Sequence, residues 1–340
     1  MSTVAESYLV GLIGDGITAS LTPPMHEREG REQGLHYLYR PVDVAALGYT
    51  GEEAQREAPR LLEYGRRLGF NAFNVTHPFK QTIMAHLDEV DEDARNLGAV
   101  NTVVFSDGRS VGHNTDFSGY ITGLRATLPE ADLAAVVQLG VGGAGSAVAY
   151  ALLRAGAAEL VLIDLDTDRA AARAGDLQAQ FPGQRVTSRS HGELQDALAG
   201  ATGFAHCTPV GMHLHPGMPV AAEWLRPGMW VSDVVYLPVD TELVVTARAR
   251  GCDVVDGGTM AVGQAVDAFR LVTGRPADAD RMRRHFLEMV AAQQTDSGLR
   301  GPAGTVEAAP STGEGAGWGA LRLPARRAGA RTAADIHQLS

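Results

Sequence analysis

A chain of 340 residues, 45% hydrophobic and 20% charged, has the make-up of a globular protein with enough material for two domains. Its net charge of −11 disfavours nucleic acid and anionic membrane as partners, and an anionic ligand would have to be held by local groups. Two cysteines, Cys207 and Cys252, make no disulfide framework; with no signal-peptide pattern and no apolar run near the ~20 residues of a membrane span, a cytoplasmic location is expected.

Tyr8 to Gly14 reads as a buried first strand ended by glycine. The loop from Asp15 leads to Thr22, placed as N-cap, and Pro23, placed as first helical residue. Capping does not account for Ser20. Ser20 and Thr22 together present two hydroxyls at i, i+2, a pair able to hold a carboxylate without a cation. His36 to Val42 is a second strand, Glu52 to Leu68 an amphipathic helix, and Phe70 to Thr76 a third strand. Lys80 is expected in the first turns of a helix ending near His86. Strands Ala99 to Phe105 and Ser110 to His113 flank an Asp107-Gly108 hairpin turn. Asp116 is expected to cap a helix over Phe117 to Leu128. The alternation over residues 1–116 indicates an α/β domain.

One window differs in kind from the rest. Lys80 is the only lysine of the chain, and all the asparagines, Asn71, Asn74, Asn96, Asn101 and Asn114, fall between residues 71 and 114. Arginine stays protonated, whereas a lysine amine can exchange a proton. A lone lysine beside Asn74, Thr76, Asn101 and Asp116 therefore reads as an acid/base centre among hydrogen-bonding groups. The plain alternative, a solvated helix lysine among turn-forming asparagines, does not account for both scarce residues meeting in one place.

After Pro129 the pattern restarts. A strand from Ala134 to Leu139 runs into Gly140-Val-Gly-Gly-Ala-Gly145, then a helix from Ser146 to Ala155 and a strand from Leu160 to Ile163 ending at Asp164. Strand, G-x-G-x-x-G, helix, strand and acid form the dinucleotide-binding fingerprint. Gly140 allows the tight turn, Gly142 lets backbone approach the pyrophosphate, and the helix N-terminus favours the anion. Asp164 can accept from the adenosine ribose hydroxyls and would repel a 2′-phosphate, with Asp166 adding charge. Arg169 can instead accommodate that phosphate. The reading is NAD over NADP.

Further strands follow at Phe204 to Cys207, Trp230 to Val235 and Asp253 to Val255. His213-x-His215 in the loop from Thr208 to Gly217 lacks a suitably spaced acidic or cysteine partner, so no metal is expected. Asp256 to Met260 opens a helix over Val262 to Leu271, with Gln264 in its first turns, and a last helix covers about Ala279 to Ala292. From Gln293 on, Gly, Ala, Ser, Thr and Pro dominate and a disordered tail is expected.

With these motifs in place, the chain over residues 8–292 resembles the shikimate dehydrogenase family, most nearly its NAD-using quinate/shikimate dehydrogenase branch. The resemblance is carried by Ser20-Leu-Thr-Pro23, Asn74-Val-Thr-His-Pro-Phe-Lys80, Gly98-Ala-Val-Asn-Thr102, Asn114-Thr-Asp116, the glycine loop and Asp256 to Gln264. It implies an α/β fold with the active site in a cleft: a substrate-binding domain (1–116, completed by helices in 257–292), a Rossmann-type NAD-binding domain (117–256) and a tail (293–340). Lys80 and Asp116 look like the catalytic pair. Ser20 and Thr22 look like the carboxylate site, and Thr76, Asn101, Asp116 and Gln264 like ligands of ring hydroxyls, with Tyr236 near the cleft. Gly140, Gly142, Gly143, Ala144, Gly145, Asp164, Arg169, Thr208, Gly257 and Met260 look like the cofactor site.

The activity implied is reversible NAD-dependent oxidation of a ring hydroxyl of shikimate or quinate to the 3-dehydro compound. An amino-analogue dehydrogenase and a non-catalytic dinucleotide-binding regulator are the alternatives; the intact Lys80/Asp116 pair speaks against the regulator. A homodimer is left open. Three departures from the family pattern stand out: Thr22 where a second serine is usual, His206-Cys-Thr208 where Asn-Ala-Thr is usual, and Val141 where a smaller residue is common.

Overall fold

Two six-stranded sheets, built from short apolar runs, organise the chain; the computed structural model describes residues 7–299, with side chains through residue 293. The first half contains β1 (Ser7–Gly14), α1 (Thr22–Glu32), β2 (His36–Asp43), α2 (Gly51–Arg67), β3 (Ala72–Val75), a 3-10 turn (Thr82–His86), β4 (Glu89–Val90), α3 (Glu92–Leu97), β5 (Thr102–Ser106) and β6 (Arg109–His113). The sheet order is β2-β1-β3-β5-β6-β4. β1 is parallel to β2 and β3, whereas β5 runs antiparallel to both β3 and β6. The hairpin turn is as expected, since Asp107 (φ 51°) and Gly108 (φ 76°) are both left-handed, the conformation Asp-Gly accepts most readily.

The second half contains α4 (Thr115–Thr127), β7 (Ala135–Leu139), α5 (Gly143–Ala155), β8 (Glu159–Ile163), α6 (Thr167–Gln180), β9 (Arg185–Arg189), α7 (Leu194–Ala199), β10 (Gly203–His206), β11 (Trp230–Asp233), α8 (Glu242–Ala249), β12 (Asp253–Val255), α9 (Gly257–Thr273) and α10 (Ala279–Leu299). Its order, β12-β11-β10-β7-β8-β9, is parallel throughout. This is the doubly wound arrangement, in which winding reverses between β7 and β10 and leaves a crevice at the strand ends. Val136, Val137 and Leu139 of β7 and Leu160, Leu162 and Ile163 of β8 are all buried, the continuous apolar pattern of a sheet covered on both faces.

Several element ends differ from the expected ones for local reasons. Lys80 lies before the 3-10 turn and not inside a helix, because its carbonyl accepts from Val100 N–H at 2.8 Å instead of continuing a helical ladder. Asn114, not Asp116, caps α4: its Oδ1 accepts from the N–H groups of Asp116 (3.0 Å) and Phe117 (3.3 Å). Thr22 is not the cap of α1 but its first residue, and the cap position, Leu21, makes no side-chain bond. α9 begins five residues before Val262, at Gly257. There a Cβ would stand 2.1 Å from the Val235 carbonyl oxygen, so the helix start lies against the chain after β11. α10 continues through Leu299, so residues 293–299 of the expected tail are helical, and residues 300–340 lie outside the described residues.

The helices α4 and α9 cross at close range. A Cβ on Gly119 would lie 2.2 Å from the Gln264 nitrogen, and one on Gly263 would lie 2.3 Å from the Gly119 oxygen. Backbone touches backbone there. Among the described residues, no helix is long and apolar enough to cross a membrane.

Candidate active site

The lysine is delivered by a tight turn at the end of β3. Thr76 N–H continues the sheet by donating to Ile13 O (3.0 Å), and Phe79 N–H folds back onto Thr76 O (3.0 Å) across a cis His77–Pro78 peptide. Phe79 is fully buried, which anchors the turn and leaves the next residue, Lys80, at the surface of the core. The Lys80 side chain is 30% exposed and that of Asp116 8%; Nζ donates to Asp116 Oδ2 at 2.8 Å. Asp116 sits in the first turn of α4, where unpaired N–H groups favour a carboxylate. Among the described residues this is the one hydrogen bond that Nζ makes, so two of its three donor directions remain for another molecule.

Asn101 is tied to the same helix start. Its Oδ1 accepts from Thr115 N–H (2.7 Å), Thr115 Oγ1 (3.2 Å) and Thr102 Oγ1 (3.0 Å). With the oxygen occupied, the amide's N–H groups are what it can offer elsewhere. Asn74, by contrast, spends both ends inside the protein: Oδ1 accepts from the Tyr39 hydroxyl and Nδ2 donates to Thr102 Oγ1 (2.8 Å). Thr76 is half-buried, and its methyl lies 2.4 Å from where a Cβ on Gly14 would stand. Gln264 is held against Gly119 by the helix crossing.

Lys80 thus bonds Asp116 directly, Asn101 bonds the neighbouring Thr115, and Gln264 packs on Gly119 of the same helix α4. Ser20 and Thr22 form a separate pair, with Thr22 N–H donating to Ser20 Oγ at 3.3 Å and both residues half-buried. Tyr236 is 42% exposed, its ring 6.0 Å from that of Phe286. Among the described residues neither that pair nor Tyr236 hydrogen-bonds to the lysine cluster.

The glycine loop combines a tight left-handed turn with an open approach to the start of α5. Gly140 is left-handed (φ 96°), and a Cβ there would meet Cys207 O at 2.6 Å; a Cβ on Gly145 would meet Gly140 O at 2.2 Å. At Gly142 and Gly143 a Cβ would meet nothing within 4 Å, and Gly143 and Ala144 are exposed. α5 starts there with no side-chain cap among the described residues, so no capping side chain takes up its first N–H groups. A nicotinamide dinucleotide fits these features.

Asp164 is more engaged than its position predicts. Its Oδ2 accepts from Val141 N–H (2.8 Å) and its Oδ1 from Asp166 N–H (3.0 Å) and Arg169 Nη2 (2.8 Å). Burial opposes its charge, but the two N–H donors and the Arg169 guanidinium outweigh burial and hold the carboxyl below its usual range. Asp166 caps α6 by accepting from Arg169 N–H at 3.0 Å. The acid and arginine that were rivals in the sequence are partners here.

The segment after β10 lies on the loop: Thr208 Cγ2 is 2.9 Å from where a Cβ on Gly140 would be. His206, fully buried, links Asp233 Oδ1 (3.0 Å from Nδ1) to Thr208 Oγ1, so the residue that departs from the family pattern has a defined bonding role. Gly257 packs on the Val235 carbonyl, and Met260 is buried in the core. Sequence reasoning missed Asn114 and Thr115 as organisers of the lysine cluster, and Gln138 beneath the glycine loop. For Gln138 the one available signal is a polar residue inside the apolar run Ala135-Val-Val-Gln-Leu139. Among the described residues there is no group of three or more His, Cys, Asp or Glu able to hold a metal.

Residues 12–103 match the family model described as the shikimate dehydrogenase substrate binding domain. The chain is 60% identical over 294 residues to a shikimate dehydrogenase (NADP(+)) of Pseudarthrobacter chlorophenolicus, covering 86% of this chain and 99% of that protein. It is 46% identical over 285 residues to a quinate/shikimate dehydrogenase (NAD(+)) of Corynebacterium efficiens, covering 84% and 99% respectively. Among solved structures, quinate dehydrogenase from Corynebacterium glutamicum in complex with NAD superposes with a TM-score of 0.78 at 46% identity, over 83% of this chain and 99% of that one.

Proposed function

Because the chain belongs to the shikimate dehydrogenase family, we propose that it interconverts a ring alcohol of shikimate or quinate and the corresponding ketone, with NAD as hydride acceptor and Lys80 as proton acceptor. One observation carries the reading: the only lysine of the chain, part-exposed, is hydrogen-bonded at 2.8 Å to the buried carboxylate of Asp116. Oxidising a secondary alcohol removes a hydride from carbon and a proton from oxygen. The bound dinucleotide supplies the hydride chemistry. Lys80 takes the hydroxyl proton in oxidation and returns it from the ammonium form in reduction, while Asp116 fixes the direction of Nζ.

The remaining assignments follow from this centre. Asn101, with its oxygen already occupied, donates to a ring hydroxyl, and Thr76 and Gln264 border the same hydroxyls. Ser20 and Thr22 hold the substrate carboxylate. Residues 1–116 with the helices of 257–292 form the substrate-binding part and 117–256 the cofactor-binding part, with the substrate between them. Gly140, Gly142, Gly143, Ala144 and Gly145 receive the pyrophosphate, and Thr208, Gly257 and Met260 border the nicotinamide end.

NAD is favoured by the carboxylate of Asp164 at the end of β8, which draws Arg169 to itself and away from a 2′-phosphate. NADP is the second reading, favoured by the 48% exposure of the Arg169 side chain and by the cofactor named for the Pseudarthrobacter relative. Steady-state kinetics with quinate and shikimate, each with both cofactors, test the proposal. Absence of turnover with every combination would overturn it.

A further inference from the structure

Gln138 is the one polar side chain of β7, and it is fully buried in a central strand of its sheet. Its register partners are Leu162 of β8 and Ala205 of β10, both also fully buried. Its Nε2 donates to Gly140 O (2.8 Å) and Gly145 O (2.7 Å), while its Oε1 has no hydrogen-bond partner among the described residues. An unpaired buried acceptor is a standing loss of stability that leucine or methionine would not incur. The strand's own packing therefore does not account for the glutamine. The two carbonyls it binds do.

Those carbonyls belong to the first and last glycines of the loop. The peptide unit between Gly140 and Val141 is held on both sides, its C=O by Gln138 and its N–H by Asp164 Oδ2 at 2.8 Å. In a trans peptide these groups point in opposite directions from one plane, so two such bonds fix the plane's rotation. The second Gln138 bond ties the first turn of α5 to the same amide. The directions of the exposed N–H groups of Gly143 and Ala144 are thereby set before any ligand arrives.

We propose that Gln138 is a positioning residue for dinucleotide binding: its amide strap holds the glycine loop in the form that receives a pyrophosphate. The inference rests on the dehydrogenase reading above. Binding then pays less to order the loop, and losing the strap appears as weaker affinity for anything carrying the pyrophosphate.

Gln138→Met, close in shape, and Gln138→Leu remove the donors and the orphaned acceptor together. Isothermal titration calorimetry with NAD, NADP and ADP-ribose should give dissociation constants raised about tenfold, the scale of one or two lost hydrogen bonds. ADP-ribose, which keeps the pyrophosphate and lacks the nicotinamide, should lose the same factor. The melting temperature should change little, since the two carbonyls lose a donor as the orphaned acceptor is removed, and the KM for shikimate at saturating cofactor should stay within twofold. Dinucleotide affinity within twofold of wild type in both variants would overturn the inference. So would failure of both to fold, or a loss of affinity shared equally by substrate and tracking a fall in melting temperature, because each assigns Gln138 to the fold. A wild-type protein that binds no dinucleotide would overturn the dehydrogenase reading and this inference with it.

Discussion

Lys80 Nζ and Asp116 Oδ2 lie 2.8 Å apart although 36 residues separate them in the chain. The turn after β3 brings one and the capped start of α4 brings the other. Lys80→Met should lower kcat by about 10²–10⁴, the usual size of a general acid–base contribution, with cofactor affinity within a few-fold of wild type. Lys80→Arg keeps the ion pair but cannot release the proton, so it should not restore turnover. Near-normal kcat in the arginine variant would remove Lys80 from the acid/base role.

The crossing of α4 and α9 gives a prediction about packing. Gly119→Ala places a methyl 2.2 Å from the Gln264 nitrogen, where backbone must shift. Overpacking of this kind costs about 1–3 kcal/mol. Chemical denaturation should show that loss, and KM for the substrate should rise with it because Gln264 moves. Gly142→Ala should behave in the opposite sense. Its methyl meets nothing in the protein, so stability should hold while dinucleotide affinity falls. Equal effects on stability from both variants would contradict this account.

The proposed NAD preference rests on Asp164 and Arg169 together. Like-charge juxtaposition in a binding site costs several kcal/mol, so wild-type kcat/KM should favour NAD by roughly 10²-fold or more. Asp164→Ser releases Arg169 and one holder of Val141 N–H, so NAD use should weaken while NADP use rises. Better use of NADP by the wild type would give the pocket to Arg169.

Acid sensitivity should come partly from His26. It is fully buried beside Tyr37, with Nδ1 3.2 Å from the Tyr37 hydroxyl and Nε2 without a partner among the described residues. Burial pushes its pKa down from 6.5 to about 3, with the Glu29 carboxylate opposing. The folded state keeps the ring neutral while the unfolded chain takes up a proton, so its contribution is intact above pH 6.5 and declines as pH falls toward 3. Between pH 7 and 5 the wild type should lose about 2 kcal/mol more stability than His26→Phe. Denaturant titrations of both proteins at the two pH values measure it. Parallel losses would show that His26 is not the sensor.

Local patterns made much of the molecule legible. The glycine loop, the Asp-Gly hairpin and the alternation of strands and helices are encoded within a few residues of one another. The scarcity of lysine and asparagine singled out the window whose Lys80 and Asp116 are hydrogen-bonded in the structure. What escaped was the choice among possible partners, some close in the chain and some far from it. Asp116 looks like a helix cap until Asn114 is seen holding the same N–H groups. Nothing in the spacing of Asp164 and Arg169 says that the guanidinium bonds the carboxylate. The Gly119–Gly263 contact joins residues far apart in the chain, where spacing carries no signal.

A single, partly exposed ε-amine beside the buried Asp116 carboxylate also makes the protein its own spectroscopic probe. Reductive methylation with ¹³C-formaldehyde modifies amines alone, so Lys80 and the α-amino group are the sites that label. The methyl resonance of Lys80 then follows the charge on Nζ directly as pH changes and as substrate or cofactor is added. In most enzymes such a signal is lost among dozens of lysines; here the chemistry of the chain has already done the isotope editing.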